Sequence, residues 1–582
     1  MDDSASKSPS PLLNSFPNLV YDTRSMTAPL TAMPPLSKRR FEQVAFASAV
    51  FLLLYCLSCV NVWIQWKEME DTNFRLAASL MDPPQPLATL SPHIDSLYDP
   101  WPDSTNEIDR VGPLEELEEM EIPDESLDDS EYPQQAWKRH EFQCLGWVGT
   151  DDEGYEIGER RECWQRIRAG DAGYCEVLNA TSGEVFHVMH TTSLSLKDDV
   201  RFTCQLAKAF SSFRYHAAAY RHDPTMTINC HDNGCSSEGI VMAVYEGVLP
   251  SAFASIRRLR DAGCSLPVEL WFRHDELTQD NPVLVTLEDS FGPVYLRQIF
   301  DERINGFYVK VHALYYSQFT KVLLLDADNF AVRDPTPLFS SKPMQQFGAA
   351  FWPDFWYPGN SIFNLHAQSL VWELLGLDYV DMLEQESGQV LVNRAVSRPM
   401  LDQLLYYAIH KPSLITKLQL VWGDKDLFRL AWLQMKQPFH FNDHRMPGTL
   451  GILNQKRLRY CGMTMVQYDL NGQDMLFWHR NTIKLTGRPG FDTHIWQTLQ
   501  QLPPVVGEGG RDKATDALPK IQSFNGEKLF NETSCFGVKR YGMDERVEMT
   551  PVDQLGGSLA SLESTLIEYA RQAYKLLHEQ PW

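Results

Sequence analysis

Two carboxylates, Asp326 and Asp328, stand one residue apart where an apolar run ends, in "KVLLLDADNFAVRDP" (Lys321–Pro335). Residues i and i+2 leaving a strand can project to the same side, which presents two hard oxygen ligands at one point. Mn2+ or Mg2+ prefers carboxylate and water oxygens and typically bridges to substrate phosphates. A cation held there would neutralise a diphosphate and help it leave. Two other readings share the pattern. Asp also caps strand-exit turns by satisfying local backbone groups. A phosphatase with a strand-end Asp nucleophile is the other, although that chemistry expects Thr where Phe330 stands.

The elements that must position these carboxylates begin at about Glu238, where strand and helix signals start to alternate. "GIVMAVY" (Gly239–Tyr245), "VELWF" (Val268–Phe272), "PVYLRQI" (Pro293–Ile299) and "VLLL" (Val322–Leu325) predict strands. "SAFASIRRLRDAG" (Ser251–Gly263) predicts an amphipathic helix with a Ser cap and a closing Gly, and Phe307–Phe319 and Pro399–Ile409 two further helices. This alternation predicts βαβ units in an α/β fold with a mostly parallel central sheet. Ligands of such open sheets bind beyond the carboxyl ends of the strands, where Asp326 and Asp328 lie.

Composition places this domain in a longer plan. The 582 residues carry a net charge of −24, which argues against a nucleic-acid-binding surface. Between Asp82 and Lys138, 16 acidic residues face two basic ones among nine prolines, so over half of the excess sits in a proline-broken stretch. Self-repulsion makes that stretch an extended spacer. Val44–Ile64 runs 21 residues without a charge, about 32 Å of helix against a hydrocarbon core of about 30 Å. Lys38, Arg39 and Arg40 precede it and Glu68, Glu70 and Asp71 come after, so the positive-inside rule puts the N-terminus in the cytosol. The expected organisation is a cytosolic tail (1–37), a transmembrane signal anchor (38–66), an acidic stem (67–140), a Cys-rich luminal subdomain (141–237), a catalytic domain (238–486) and a C-terminal extension with a terminal helix (487–582).

Luminal exposure gives the 11 cysteines a meaning. Cys56 and Cys59 lie in the span. Cys144, Cys163, Cys175, Cys204, Cys230 and Cys235 cluster before the main domain and read as disulfides. With nine luminal cysteines, at least one is free or bonds another chain. Asn179 ("NAT") and Asn531 ("NET") fit glycosylation acceptors.

"KVHALYYSQFTKVLLLDADNFAVRDPTPLF" (Lys310–Phe339) resembles the core signature of the fungal Golgi α-mannosyltransferases of glycosyltransferase family seventy-one. "WPDFW" (Trp352–Trp356), "ESGQVLVN" (Glu386–Asn393), "GDKDLF" (Gly423–Phe428) and "FWHRNTIKL" (Phe477–Leu485) come after it in order. The likeness covers roughly residues 238–486 and is closer to the α-1,2 branch-forming members. "MAVYEG" departs from it by lacking a Gly-rich turn after the first strand. The resemblance implies a GT-A-like nucleotide-sugar fold, GDP-mannose as donor, Mn2+ (or Mg2+), a mannose-terminated acceptor glycan on glycoproteins or cell-wall polymers, and transfer with retained α configuration. It also implies a single-pass type II protein of the Golgi membrane, with oligomers or complexes with other Golgi transferases open.

Carried onto this chain, the metal ligands are Asp326, Asp328 and His479, with Lys310, Lys484 and Asp326 facing the donor. Solvated lysines, and a histidine packed between Trp478 and the sheet, are the alternatives. Asp354, between Trp352 and Trp356, would set a carboxylate beside aromatic faces on which a sugar stacks, unless "WPDFW" is a core turn. Glu386 and Asp424 are the further catalytic candidates; Asp424 and Asp426 flank Lys425, a pattern that a surface ion pair also gives. Two other functions stay open: transfer from a uridine-diphosphate sugar, and a catalytically silent, membrane-tethered lectin or assembly subunit of the same fold. For the second, Leu559, Leu562, Leu566, Tyr569 and Ala573 keep helical spacing usable for packing or partnering.

Overall fold

Residues 142–578 are described by a computed structural model, apart from 151–159, 168–170, 172, 181, 190–199, 201, 223–237, 364, 412, 503–517, 533 and 543. The tail, anchor and stem expected at 1–140 lie outside the described residues, as do Cys230 and Cys235. Among the described residues, no helix is long and apolar enough to cross a membrane.

Four strands pair as an antiparallel sheet in the order β2-β1-β3-β4: β1 (Phe142–Gly149), β2 (Arg160–Arg161), β3 (Gly173–Asn179) and β4 (Val185–Val188). Disulfides Cys144–Cys163 and Cys175–Cys204 staple β1 and β3 to neighbouring segments of the chain, as the cysteine cluster predicts. Asn179 is 6% exposed and accepts from the Ser182 N–H, which closes it to the glycosylation expected there; Asn531 is exposed. Helix α1 (Ala207–Ala219) leads on to the central sheet.

The central sheet runs β12-β10-β11-β8-β5-β6-β7. Its first strands are β5 (Glu238–Ala243), β6 (Val268–Arg273), β7 (Val294–Ile299) and β8 (Lys321–Leu325), joined through α2 (Leu249–Asp261), α3 (Pro282–Ser290) and α4 (Tyr308–Tyr316). All four are parallel, as the alternation predicts. Both faces of β8 are covered, which is why it reads as an unbroken apolar run. Val322 and Leu324 enter one core, while Leu323 and Leu325 enter the other. Beyond β8 the sheet becomes mixed. Short β9 (Asn329–Ala331) and α5 (Lys342–Phe347) precede β10 (Ala349–Pro353), which pairs antiparallel with β11 (Gln385–Asn393), itself antiparallel to β8. Helix α6 (Leu370–Leu375) lies between β10 and β11, and α7 (Arg398–Ile409), α8 (Leu414–Lys417) and α9 (Leu427–Gln434) separate β11 from the edge strand β12 (His440–Phe441).

Ser251 does not cap α2. The helix starts two residues earlier, and the buried Ser251 hydroxyl donates to the Leu485 carbonyl and accepts from the Leu485 N–H, both at 3.1 Å. Gly263 closes the helix at φ +87°, as expected.

A third sheet holds β13 (Gly448–Asn454), β14 (Arg459–Tyr468), β15 (Met475–His479), β16 (Thr498–Gln501), β17 (Gln522–Phe524), β18 (Cys535–Gly537) and β19 (Glu548–Pro551), with α10 (Glu527–Phe530) between β17 and β18. Residues beyond 486 therefore complete a sheet begun at 448, and Cys461–Cys535 ties β14 to β18. The terminal helix α11 (Leu562–His578) buries Leu562, Leu566, Ala570 and Ala573, and its Tyr569 hydroxyl donates to Asp261 at the end of α2. The apolar stripe seen in the sequence packs within the molecule. On the same helix, buried Glu563 accepts from the N–H groups of Ile495 (2.8 Å) and Trp496 (2.9 Å) and from Arg480, the residue after β15.

Candidate metal centre

The two sheets meet where β9 pairs with β15, which puts His479 directly opposite Asn329. A bulge in β11 builds the floor beneath this junction. Phe351 of β10 faces Val390 but the next residue, Trp352, faces Glu386, so residues 387–389 are extra relative to β10 while Gln389 stays paired with Leu325 of β8. The Gly388 carbonyl from this bulge accepts from the Asp326 N–H (2.9 Å) and from the Asn329 amide (2.9 Å). The Asp-Ala-Asp turn is thereby pinned from below, while the Asp328 carbonyl accepts from the Arg480 N–H at 2.9 Å.

Asp326, Asp328 and His479 converge, each offering one ligand atom, all within 4.8 Å of one another. His479 Nε2 stands 3.3 Å from Asp328 Oδ1 and 3.8 Å from Asp326 Oδ2. Its other nitrogen, Nδ1, is 3.5 Å from Glu386 Oε1, the placement by which an outer carboxylate orients a metal-binding imidazole. Gly388 has no side chain to obstruct this: a Cβ there would lie 2.5 Å from Nδ1. The donor set of two carboxylates and an imidazole fits a divalent cation of the Mn2+ or Mg2+ type. Lys484, whose side chain is 42% exposed, ion-pairs with Asp328 and has the freedom to withdraw from it. Lys310 Nζ bridges Asp326 and Asp424, 2.9 Å from each.

The charges explain the titration of these groups. Burial disfavours a charged His479, but Asp328 and Glu386 outweigh it and lift the imidazole to about 10. Burial likewise opposes ionisation of Asp328, yet His479 and Lys484 hold it well below the ordinary carboxylate range. Glu386 is also held down, against burial, by His479, the Gly388 N–H and Lys310. Burial, helped by Asp326 and resisted by Lys310, pushes Asp424 up to about 6. Lys310 stays charged, because its two carboxylates exceed the cost of burying it.

Above this floor opens a cavity of about 710 Å³. Tyr245 and Glu246 after β5, Glu276 after β6, Phe307 and Lys310 around the start of α4, and Asp326, Asp328 and Lys484 line it. The opening lies beyond the carboxyl ends of the parallel strands. In place of a Gly-rich turn, the chain after β5 presents Tyr245 to the cavity, 49% exposed. Tyr245, Glu276 and Phe307 escaped notice in the sequence because each sits in a loop with no distinguishing pattern.

Asp354 and its flanking rings are arranged differently from expectation. Trp352 and Trp356 are buried, and Trp352 Nε1 donates to the Tyr468 carbonyl at 2.8 Å, so neither ring offers a face to a sugar. The register of β10 in mid-sheet puts them there. Asp354 does not line the cavity; it faces Lys425 at 3.4 Å. Lys425 also pairs with Glu384 and, at 2.7 Å, with Asp426, which Arg429 contacts in turn. This is a buried network and not a surface ion pair: Lys425 is 6% exposed and Asp426 fully enclosed. Three carboxyl groups face two cations. Burial, opposed by Lys425 and reinforced by Glu386 and Glu384, therefore lifts Asp354 to about 8, where it keeps its proton at neutral pH.

The family model described as "Mannosyltransferase putative" matches residues 237–367 and 378–469. Alpha-1,2-mannosyltransferase MNN24 of Candida albicans is 26% identical over 280 residues, covering 41% of this chain and 39% of that protein. Alpha-1,2-mannosyltransferase MNN5 of Saccharomyces cerevisiae is 32% identical over 127 residues, covering 21% of this chain and 22% of that protein. The chain thus spans about two fifths, or less, of the length of these relatives. Among solved structures, the galactosyltransferase LgtC in complex with donor and acceptor sugar analogues is 12% identical, covering 35% of this chain and 72% of that one, at a TM-score of 0.27, too low to carry an argument.

Proposed function

Over residues 237–469 the chain is a relative of the fungal alpha-1,2-mannosyltransferases, and on that premise we propose that it transfers α-mannose from GDP-mannose to a mannose-terminated glycan, with retained configuration. The observation that carries this reading is the convergence of Asp326, Asp328 and His479, the two carboxylates lining a 710 Å³ cavity, within the matched segment and the strand just beyond it. A GT-A-type nucleotide-sugar domain uses such a site for the donor diphosphate.

Asp326, Asp328 and His479 would hold Mn2+ or Mg2+, which when bound neutralises phosphate oxygens and eases departure of the nucleoside diphosphate. Glu386 keeps the imidazole oriented from behind. Lys484 and Lys310 stand at the cavity wall and can meet phosphate charge. Tyr245 lines the cavity and would offer an aromatic face to the nucleobase. Asp424 is buried behind the cavity wall and reaches the site only through Lys310, so on this reading it would act by positioning Lys310. Its setting near 6 keeps it mostly ionised at neutral pH. The anchor and stem read from the sequence would place this chemistry in the Golgi lumen.

The test is release of GDP and formation of a mannosylated product by the full chain in detergent, given GDP-mannose, Mn2+ and an α-mannoside. Chelation should abolish both. Activity of an Asp326→Ala, Asp328→Ala double variant equal to wild type would overturn the metal assignment. A panel of uridine-diphosphate sugars settles the donor, and glycan binding with no turnover of any donor would favour the silent lectin.

A further inference from the structure

The two tryptophans beside Asp354 are enclosed, so an acceptor glycan must find its aromatic surface elsewhere. Large aromatic side chains left in water are informative when they border a site. Phe307 is 56% exposed and lines the cavity that holds Lys310 and Asp326. Trp422 is 59% exposed and stands two residues before Asp424.

The chain joins these two rings. Between Trp422 and Asp424 sits Gly423 at φ +61°, and a Cβ there would meet the Phe307 ring at 2.8 Å. The Trp422 turn is therefore seated on Phe307, and its carbonyl accepts from the Lys425 N–H at 3.1 Å. On its other side the Trp422 ring lies 5.9 Å from Phe363, tilted by 35°. Phe363 is itself braced by Lys425, whose Nζ is 4.6 Å from the ring centre. Phe307 at the cavity and Trp422 outside it are thus linked through Gly423, with Asp424 buried just behind and paired to Lys310.

We propose that Trp422 is a stacking platform for a mannose ring of the acceptor glycan, a ring next to the one that is glycosylated. A hexopyranose presents a C–H face that packs on an aromatic plane while its hydroxyls remain in water, which suits a half-exposed indole at a site mouth. The platform shares Phe307 with the cavity assigned to the donor and adjoins Asp424, so a sugar lying on it approaches from the acceptor side. The inference deepens the mannosyltransferase reading and rests on it for the identity of the sugar.

The experiment compares wild type, Trp422→Ala and Trp422→Phe as full chains of equal thermal stability. An α-mannotriose serves as acceptor in kinetics and, without donor, as ligand in calorimetry. Loss of the indole should raise the acceptor KM and the calorimetric Kd roughly tenfold, about 1.4 kcal/mol. The KM for GDP-mannose should not move, and Trp422→Phe should recover much of the loss. A wild type that turns over GDP-mannose while Trp422→Ala keeps its acceptor KM and Kd overturns the platform and leaves the transferase standing. A wild type that turns over no donor yet binds mannotriose through Trp422 supports the platform and sinks the transferase. Trp422→Ala that dissociates a dimer at unchanged glycan affinity assigns the patch to a second copy of the chain and overturns the proposal.

Discussion

Replacing Gly388 with Ala should dislodge His479. The new Cβ would lie 2.5 Å from Nδ1, 2.6 Å from Cε1 and 3.0 Å from Glu386 Oε1. Ordinary contacts of such atoms are roughly 3.5 Å, so the imidazole must retreat by about 1 Å. It has little room: Asp328 Oδ1 is 3.3 Å beyond Nε2, and the residue is 5% exposed. The backbone cannot adjust with it, because His479 pairs with Asn329 across β9 and β15. A displacement of about 1 Å at a positioned group lowers turnover by about a hundredfold, and overpacking costs about 1–3 kcal/mol of stability. GDP release as a function of Mn2+ concentration, beside a denaturant melt, reads both effects. The sharper check is a cycle with His479→Ala: once the imidazole is gone, Gly388→Ala should cost little more, since the two residues no longer touch. Equal losses in both backgrounds, or a Gly388→Ala enzyme within threefold of wild type, would refute the steric account.

Asp354→Asn should match wild type near pH 4 and be the more stable of the two at pH 7, because its folding no longer has to bind a proton to the buried acid. Its pKa is raised from 3.8 to about 8, so the native state holds a proton that the unfolded chain lacks across that window, and stability falls as pH rises through it; the variant should flatten this slope in melts from pH 4 to 8. Lys425→Met, by contrast, leaves buried Glu384 without its cation and Asp426 with Arg429 alone, and should cost about 3–5 kcal/mol in the same melts. Cys461→Ser with Cys535→Ser opens a loop of 74 residues and should lower stability by about 4 kcal/mol on the chain-entropy estimate, read by denaturation with and without reductant. Glu563→Gln removes the charge facing buried Arg480 and should cost about 3 kcal/mol; because Arg480 is next in the chain to His479, calorimetric Mn2+ affinity should weaken as well.

Strand β8 and its two carboxylates were legible because a doubly covered strand has one reading, an unbroken apolar run, and its end is marked by charge. The four parallel strands emerged from the same alternation. The family resemblance was borne out by the relatives and by the matched segments, which hold the first four of its five ordered blocks. What stayed hidden depends on pairing between distant residues. That His479 meets Asp328 was legible only through the family resemblance, because it follows from β15 joining β9, a contact spanning some 150 positions that no local pattern announces. Trp352 and Trp356 beside an acid resemble a sugar platform in one dimension, and only the register of β10 shows their rings enclosed. Lys425 and Asp426 look like a surface pair until α9 and β11 close over them. Ser251 has the type and position of a cap, but the helix begins earlier and uses its hydroxyl to clasp Leu485.

The brace that α11 supplies bears on the order of synthesis. Asp326, Asp328, Glu386 and His479 have all left the ribosome well before Glu563, which lies 83 residues beyond Arg480. A nascent chain bearing every proposed cation ligand therefore still lacks the carboxylate that fixes the loop after His479. Competence would arrive late, as a final tightening once the C-terminal turns emerge, and a chain stalled before them would carry its chemistry unassembled.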